Sequence, residues 1–231
     1  MQFRNAFLAA MAPDDLADLF PFLKEIALFE GDRLGEAGDR VESVYFPSSS
    51  AISIVTVMSD GRGVETASIG NEGVAGMLPA LTQVAPSTRM EVQIGGGAIS
   101  LPAETLRARA HQSPSLMALI LRLEQMRTAQ ADQAAACHAL HHLPARLARW
   151  LLVCQDRVDR PNMVLTQDHM GVIAGALRSS ISLIASEFKA QGLIHYSRGH
   201  LEIVDRPGLE RQACECYHAD RSSGGVLTLA A

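Results

Sequence analysis

Leu165–Leu193 reads LTQDHMGVIAGALRSSISLIASEFKAQGL. Thr166 suits a helix N-cap, because its hydroxyl can accept an otherwise unpaired N–H of the first turn. The helix it opens would bury Met170 and Ile173. Gly175 follows at the point where a left-handed residue ends such a helix. A second helix is predicted from about Ser179 to Ala190, with Ile181, Ile184, Ala185 and Phe188 inward and Arg178, Ser179, Ser182 and Lys189 on the opposite face. Two helices a turn apart around one small core make a helix-turn-helix. The second helix of that motif lies in the DNA major groove with its N-terminal residues at base edges. An arginine there can grip guanine in bidentate fashion, while hydroxyls reach bases or phosphates. The bland alternative is a helical hairpin that only packs.

Downstream, Gly192-Leu-Ile-His-Tyr-Ser-Arg-Gly-His-Leu-Glu-Ile-Val-Asp205 predicts two short strands, Leu193–Ile194 and Leu201–Ile203. Ser197-Arg198-Gly199-His200 turns between them. This is a wing, and Arg198 at its tip suits a phosphate contact. The expected DNA-facing set is Thr166, Gln167, Arg178, Ser179, Ser180, Ser182, Leu183, Lys189 and Arg198.

Upstream the texture differs. Phe7, Leu8, Met11, Leu16, Leu19, Phe20 and Leu23 recur at helical spacing, with Asp14 or Asp15 read as a cap. After Lys24 the period becomes two, through Ile26, Leu28, Val44, Phe46, Ile52 and Ile54, and Asp60-Gly61 supplies a hairpin turn. Short strands with frequent glycines predict a β-sandwich or barrel. From Ser113 to His142 alanine and leucine predominate and glycine is absent, which predicts a long helix. Its stripe of Leu116, Leu119, Ile120, Leu123 and Met126 admits two readings at this point. It packs on the chain's own barrel, or it pairs with a second copy as a dimer interface. Pro144 marks a break, and Leu147, Trp150, Leu151 and Leu152 begin another helix.

The 231 residues are 48% hydrophobic and 19% charged, enough for one large or two ordinary domains. The net charge of −5 is uneven. Residues 1–142 carry 10 Lys and Arg against 16 Asp and Glu, and residues 143–213 carry 9 against 7. A mildly basic third on an acidic body permits nucleic-acid binding without requiring it. No eighteen-residue apolar run and no signal-peptide pattern is present, and the four cysteines match no disulfide framework. A cytoplasmic protein with no membrane partner is the expectation.

A β-rich N-terminal half, a long helix and a winged helix-turn-helix, in that order, resemble the Crp/Fnr superfamily of bacterial regulators. The N-terminal motifs that carry the resemblance are Glu30-Gly-Asp-Arg-Leu-Gly-Glu-Ala-Gly38, Val44-Tyr-Phe-Pro47, Asp60-Gly-Arg62 and Ile69-Gly-Asn-Glu-Gly-Val-Ala-Gly76. The resemblance implies an α+β chain, with a cyclic-nucleotide-binding-like jelly roll over 1–112 and a dimerisation helix over 113–142. A winged helix-turn-helix over 143–217 and a flexible tail over 218–231 complete it. It favours dimerisation through the stripe, and it implies a homodimer on two-fold symmetric double-stranded DNA, with RNA polymerase as a further partner. Recognition positions fall on Arg178, Ser179 and Leu183. Arg178 matches the family's frequent arginine, but Ser179 and Leu183 stand where glutamate and arginine are common, so an unusual target sequence is expected.

For the ligand pocket the resemblance places Glu72 in a Gly-rich turn, with Ser87 and the out-of-register Arg89 near the phosphate-binding pair. Pro86-Ser87 stands where Arg-Ser is usual, which removes the bidentate partner of a cyclic phosphate and argues against cyclic AMP. No cofactor is predicted. Haem stays open, because one histidine suffices and His111, His138 and His169 are candidates. Cys137 and His141 share a helix face, but two ligands do not make a metal site, and histidines near a helix C-terminus are the plainer explanation. Cys214-Glu-Cys216 lacks the spacing of redox or zinc motifs. Hydrolase and phosphate-loop signatures are absent, so no enzyme is expected. The competing classes are a ligand-sensing or protein-binding module with little DNA affinity, and a haem- or metal-dependent sensor.

Overall fold

A computed structural model of the chain describes residues 3–158 and 162–219. The tail expected to fray, from Arg221 to Ala231, lies outside them. In chain order the first elements are α1 (Ala6–Ala9), α2 (Pro13–Leu19), β1 (Lys24–Leu28), β2 (Arg33–Gly35), β3 (Ser43–Pro47), β4 (Ala51–Val57) and β5 (Gly63–Ile69). Then come α3 (Met77–Thr82), β6 (Arg89–Ile94), β7 (Gly96–Pro102), α4 (Ala103–Gln112) and α5 (Pro114–Leu140). The C-terminal part holds α6 (Leu143–Val158), β8 (Asn162–Val164), α7 (Gln167–Ala174), α8 (Arg178–Ala190), β9 (Ile194–Ser197), β10 (His200–Ile203) and α9 (Arg206–Gln212).

Two antiparallel sheets, ordered β1-β7-β3 and β2-β6-β4-β5, form the N-terminal roll. Period-two residues Ile52, Ile54, Ile69, Met90 and Val92 fill it together with Leu28 and Ala98. The Asp60-Gly61 turn joins β4 to β5 as expected, with Gly61 at φ +84. Strand β4 is buried on both faces from Ala51 to Val55, because its outer face lies under the C-terminal unit. Asn5 fixes the N-terminus by capping α1 and donating to Pro47 O and Gly73 O at 3.0 and 2.9 Å.

Asp15 and the apolar stripe of α5 depart from their expected roles. Asp15 is neither a cap nor a solvated carboxylate. Ala12 is the cap of α2, and buried Asp15 accepts from Arg109 Nε and Ser115 Oγ, both at 2.8 Å, tying α2 to the α4–α5 junction. The stripe Leu116, Leu119, Ile120, Leu123 and Met126 is not an open dimer seam. It is buried with Phe7, Leu8, Phe46, Leu101 and Leu106 in the chain's own core. Helices α1, α2 and α4 complete the cover that strands alone would leave unfinished. Ser113 caps α5, accepting from Leu116 N at 3.1 Å, and Pro114 at its first position keeps it separate from α4.

Candidate nucleic-acid interface

The C-terminal unit is built on one core, in which Leu147, Leu151, Met163, Leu165, Met170, Ile181, Phe188, Leu201 and Leu209 meet. Thr166 caps α7, its Oγ1 accepting from His169 N at 3.2 Å. Gly175 closes α7 at φ +60. A side chain there would carry left-handed strain, which glycine avoids. Helix α8 begins at Arg178, one residue before the expected start, with Leu177 as an N-cap that supplies no side-chain bond. Ile181, Ile184, Ala185 and Phe188 are buried, as their spacing requires.

The wing differs in register from its expectation. Strand β9 runs Ile194–Ser197 instead of Leu193–Ile194, and pairs with β10 through Ser197↔His200. Positive φ at both Arg198 and Gly199 allows a two-residue turn, which draws Tyr196 and Ser197 into the ladder. Strand β8 adds a third member on the other side of β10. At three residues it is too short to show alternation. The wing is tied to both helices: Leu165 N donates to Gly199 O at 2.7 Å, Tyr196 Oη to Leu165 O at 3.1 Å, and Lys189 Nζ to Tyr196 O at 3.4 Å.

Of the expected DNA-facing set, Thr166, Arg178, Ser179, Leu183, Lys189 and Arg198 are exposed, and Gln167, Ser180 and Ser182 are half-buried. Gln167 Nε2 donates to Ser182 Oγ at 3.4 Å, linking the start of α7 to the middle of α8. Leu177, which sequence reasoning missed, is 75% exposed beside Arg178, and Leu183 is 63% exposed on the same helix. An exposed leucine outside a recognised periodic face leaves no sequence signal.

Residues 145–212 match the model of the Crp-like helix-turn-helix domain. The chain carries a Crp-like helix-turn-helix domain on the fold of Crp/Fnr regulators. FixK2 from Bradyrhizobium japonicum is 16% identical, with a TM-score of 0.71 over 83% of this chain and 98% of its own. TTHB099, a CRP-family transcriptional regulator from Thermus thermophilus, is 19% identical at TM-score 0.67, over 82% and 96%. The c-di-GMP responsive regulator CLP of Xanthomonas campestris is 13% identical at TM-score 0.66, over 83% and 99%. Comparison with curated protein sequences returns no match.

The Crp-like domain is seated on the roll through apolar contact at Ala51 and Ile94 and through charge. Arg157 of α6 pairs with Glu72 at 2.8 Å, and Gly70 is needed there, since a Cβ at that position would stand 2.4 Å from Arg157 Cβ. His169 of α7 lies 3.5 Å from both Glu30 and Glu91. Glu65 of β5 is enclosed at the seam, accepting from Gln93 Nε2 at 2.9 Å, Trp150 Nε1 at 3.3 Å and Ser53 Oγ. Burial pushes its carboxyl up to about 7, against the opposing pull of Ser53, Arg157, Trp150 and Arg149. A carboxylate raised in the folded state contributes stability fully below its ordinary value near 4.5, and that contribution is lost as pH rises through 7. The wild-type chain is therefore expected to lose up to about 3 kcal/mol of stability between pH 5 and 8 from this group. Denaturant midpoints across that range check it: Glu65→Gln should flatten the slope, and an unchanged slope would contradict the assignment.

Two of the three expected ligand residues are employed otherwise. Glu72 is the partner of Arg157, Arg89 pairs with Glu91 at 3.1 Å, and Ser87 is exposed in the loop before β6. The crevice where β5, α5 and α6 meet holds about 90 Å³, lined by Ser68, Gln130, Ala134 and Trp150 among others.

The C-terminal end of α5 holds one more convergence. Sequence reasoning saw Cys137 and His141 and stopped for want of further ligands. The fold brings Cys214 and Cys216 to them, and the four ligand atoms lie within 4.8 Å of one another. Burial raises the Cys137 and Cys214 thiols, the latter to about 12. His138 stays outside this group: burial and Arg146 hold its imidazole low, and its Nδ1 lies 3.2 Å from Arg146.

Proposed function

We propose that the chain is a sequence-specific DNA-binding transcriptional regulator that reads the major groove with α8 as a homodimer. The observation that carries this reading is Arg178, exposed at the first position of α8. A cation at a helix N-terminus opposes the helix dipole and costs stability, about 0.3–1 kcal/mol. Local preference broken at one solvent-facing position argues for a function at that position. Arg178 suits guanine N7 and O6, Ser179 and Ser182 suit bases or phosphates, and Leu177 and Leu183 offer apolar contact to thymine methyl groups. Arg198 and Thr166 would hold phosphates on either side. With the reader seated on the roll these side chains still face solvent, so that arrangement does not cover the reading surface.

With the Leu116–Met126 stripe already in the core, a dimer through α5 must use its outer face. Ala118, Leu121, Gln125, Thr128, Asp132, Ala135 and Ala139 are exposed there at alternating spacings of three and four, the spacing of a helix-pair seam. Leu121 is its largest apolar member at 63% exposure. Leu121→Glu is expected to shift the protein to monomer, read as a sedimentation coefficient that no longer rises with concentration. A dimer of unchanged affinity would place the interface elsewhere. The engagement of Glu72 by Arg157 and of Arg89 by Glu91 supports a sensor half that does not bind cyclic AMP in the usual way. RNA polymerase is a further proposed partner.

A gel-shift titration against the DNA upstream of the chain's own coding sequence tests the DNA reading. Retarded complexes that resist non-specific competitor and weaken steeply with salt are expected. Equal affinity for that DNA and for random duplex would favour the competing class, a ligand- or protein-binding module.

A further inference from the structure

We propose that Cys137, His141, Cys214 and Cys216 form a mononuclear zinc site that clasps the segment after α9 to the end of α5. Cys137 and His141 are one helical turn apart, His141 N donating to Cys137 O at 3.0 Å. Across from them Cys137 Sγ lies 3.5 Å from Cys214 Sγ, and Cys216 Sγ lies 3.5 Å from His141 Nδ1. Four ligands at zinc bond lengths of about 2.3 Å to sulfur and about 2.0–2.1 Å to nitrogen stand roughly 3.6–3.8 Å apart in a tetrahedron. The four ligand atoms here, all within 4.8 Å of one another, need only a small contraction to reach that figure.

The donor set selects the ion. Three thiolates and one imidazole in a closed site are a structural zinc set, and soft sulfur ligands disfavour magnesium and calcium. An iron–sulfur cluster would spread its thiolates over several irons, further apart than the ligands of one ion. A disulfide between Cys137 and Cys214 would account for two of the four groups and leave the convergence of His141 and Cys216 without a cause. Further contacts fit the ion as well. His141 Nε2 lies 3.6 Å from Glu215 Oε1, the carboxylate partner that fixes a metal-bound imidazole, and Gln133 Nε2 donates to Cys216 Sγ at 2.9 Å.

The position gives the clasp its consequence. Tyr217, next to Cys216, is fully buried in the Crp-like domain and bonds Asp156 at 2.8 Å, while Cys137 belongs to α5. An ion at this point fixes the reader to the long helix 77 residues back along the chain, from Cys214 to Cys137. The value of that to gene regulation rests on the DNA-reading function proposed above. Metal content is measured with no DNA present, so the two readings fail separately.

Full-length untagged protein, purified under reducing conditions, is expected to contain one zinc per chain by mass spectrometry of the metal. After zinc removal, Co²⁺ alone should bind one per chain, with intense visible bands of tetrahedral cobalt and near-ultraviolet thiolate charge transfer. Cys137→Ser and His141→Ala should reduce zinc at least tenfold, while Cys154→Ala, buried outside the cluster, should keep it. Should the cluster variants fail to fold, the cobalt spectrum of the unaltered chain still decides. Folded, reduced protein that holds no zinc and gives no cobalt bands would overturn the proposal. So would metal-free protein isolated with a Cys137–Cys214 disulfide, which would assign the pair to redox chemistry.

Discussion

Arg178→Ala is expected to lose the distinction between operator and random duplex while folding as the unaltered chain does. A bidentate arginine–guanine pair is worth about 1–3 kcal/mol of discrimination. Two half-sites double that for a dimer, so operator affinity should fall by roughly thirtyfold or more. Binding to random duplex depends on the summed phosphate contacts and should change little. Stability should hold, because Arg178 lies on the exposed face of α8 and outside the core beneath it. Competition titrations with operator and random duplex, beside thermal unfolding, separate these terms. An arginine-free variant with unchanged sequence preference would remove α8 from its assigned role.

Phe188→Ala is expected to act through the fold and not through reading. Phe188 is among the largest fully buried side chains and faces the core beneath α8, where Ile181, Ile184 and Leu201 also lie. Its truncation leaves a cavity and should cost about 3–5 kcal/mol. DNA binding would then be lost at temperatures where the reader unfolds and recovered on cooling. Denaturant unfolding checks the magnitude. A loss below about 1 kcal/mol would mean that the site collapses around the cavity, and that the core is less rigid than its burial implies. Together the two variants distinguish a surface that reads from a core that holds it.

The parts of the molecule that sequence alone made legible are those governed by local chemistry. Thr166 as a cap, Gly175 at positive φ and the inward spacing of Ile181, Ile184 and Phe188 each act within a few residues, so each left a local mark. The alternating strands around Asp60-Gly61 did the same. What stayed hidden depends on distant partners. Asp15 resembles a cap until Arg109, 94 residues on, is placed beside it. The stripe from Leu116 to Met126 resembles a dimer seam until α1, α2 and α4 cover it. The seat of the Crp-like domain, where Trp150, Arg157 and His169 meet Glu65, Glu72 and Glu30, joins side chains from opposite halves of the chain, with no spacing to betray it. Cys137 and His141 alone were too few to read, and the two cysteines that complete the group lie beyond the winged domain's last helix.

The claim that α8 reads DNA as one half of a two-fold pair is tested most directly by selection from a random duplex library. Repeated binding to the full-length chain should enrich a pseudo-palindrome with half-sites one helical turn apart, about 34–36 Å. A G·C pair should stand at the position whose enrichment disappears with Arg178→Ala. Recovery of no common sequence, or of the same sequence by that variant, would contradict the account.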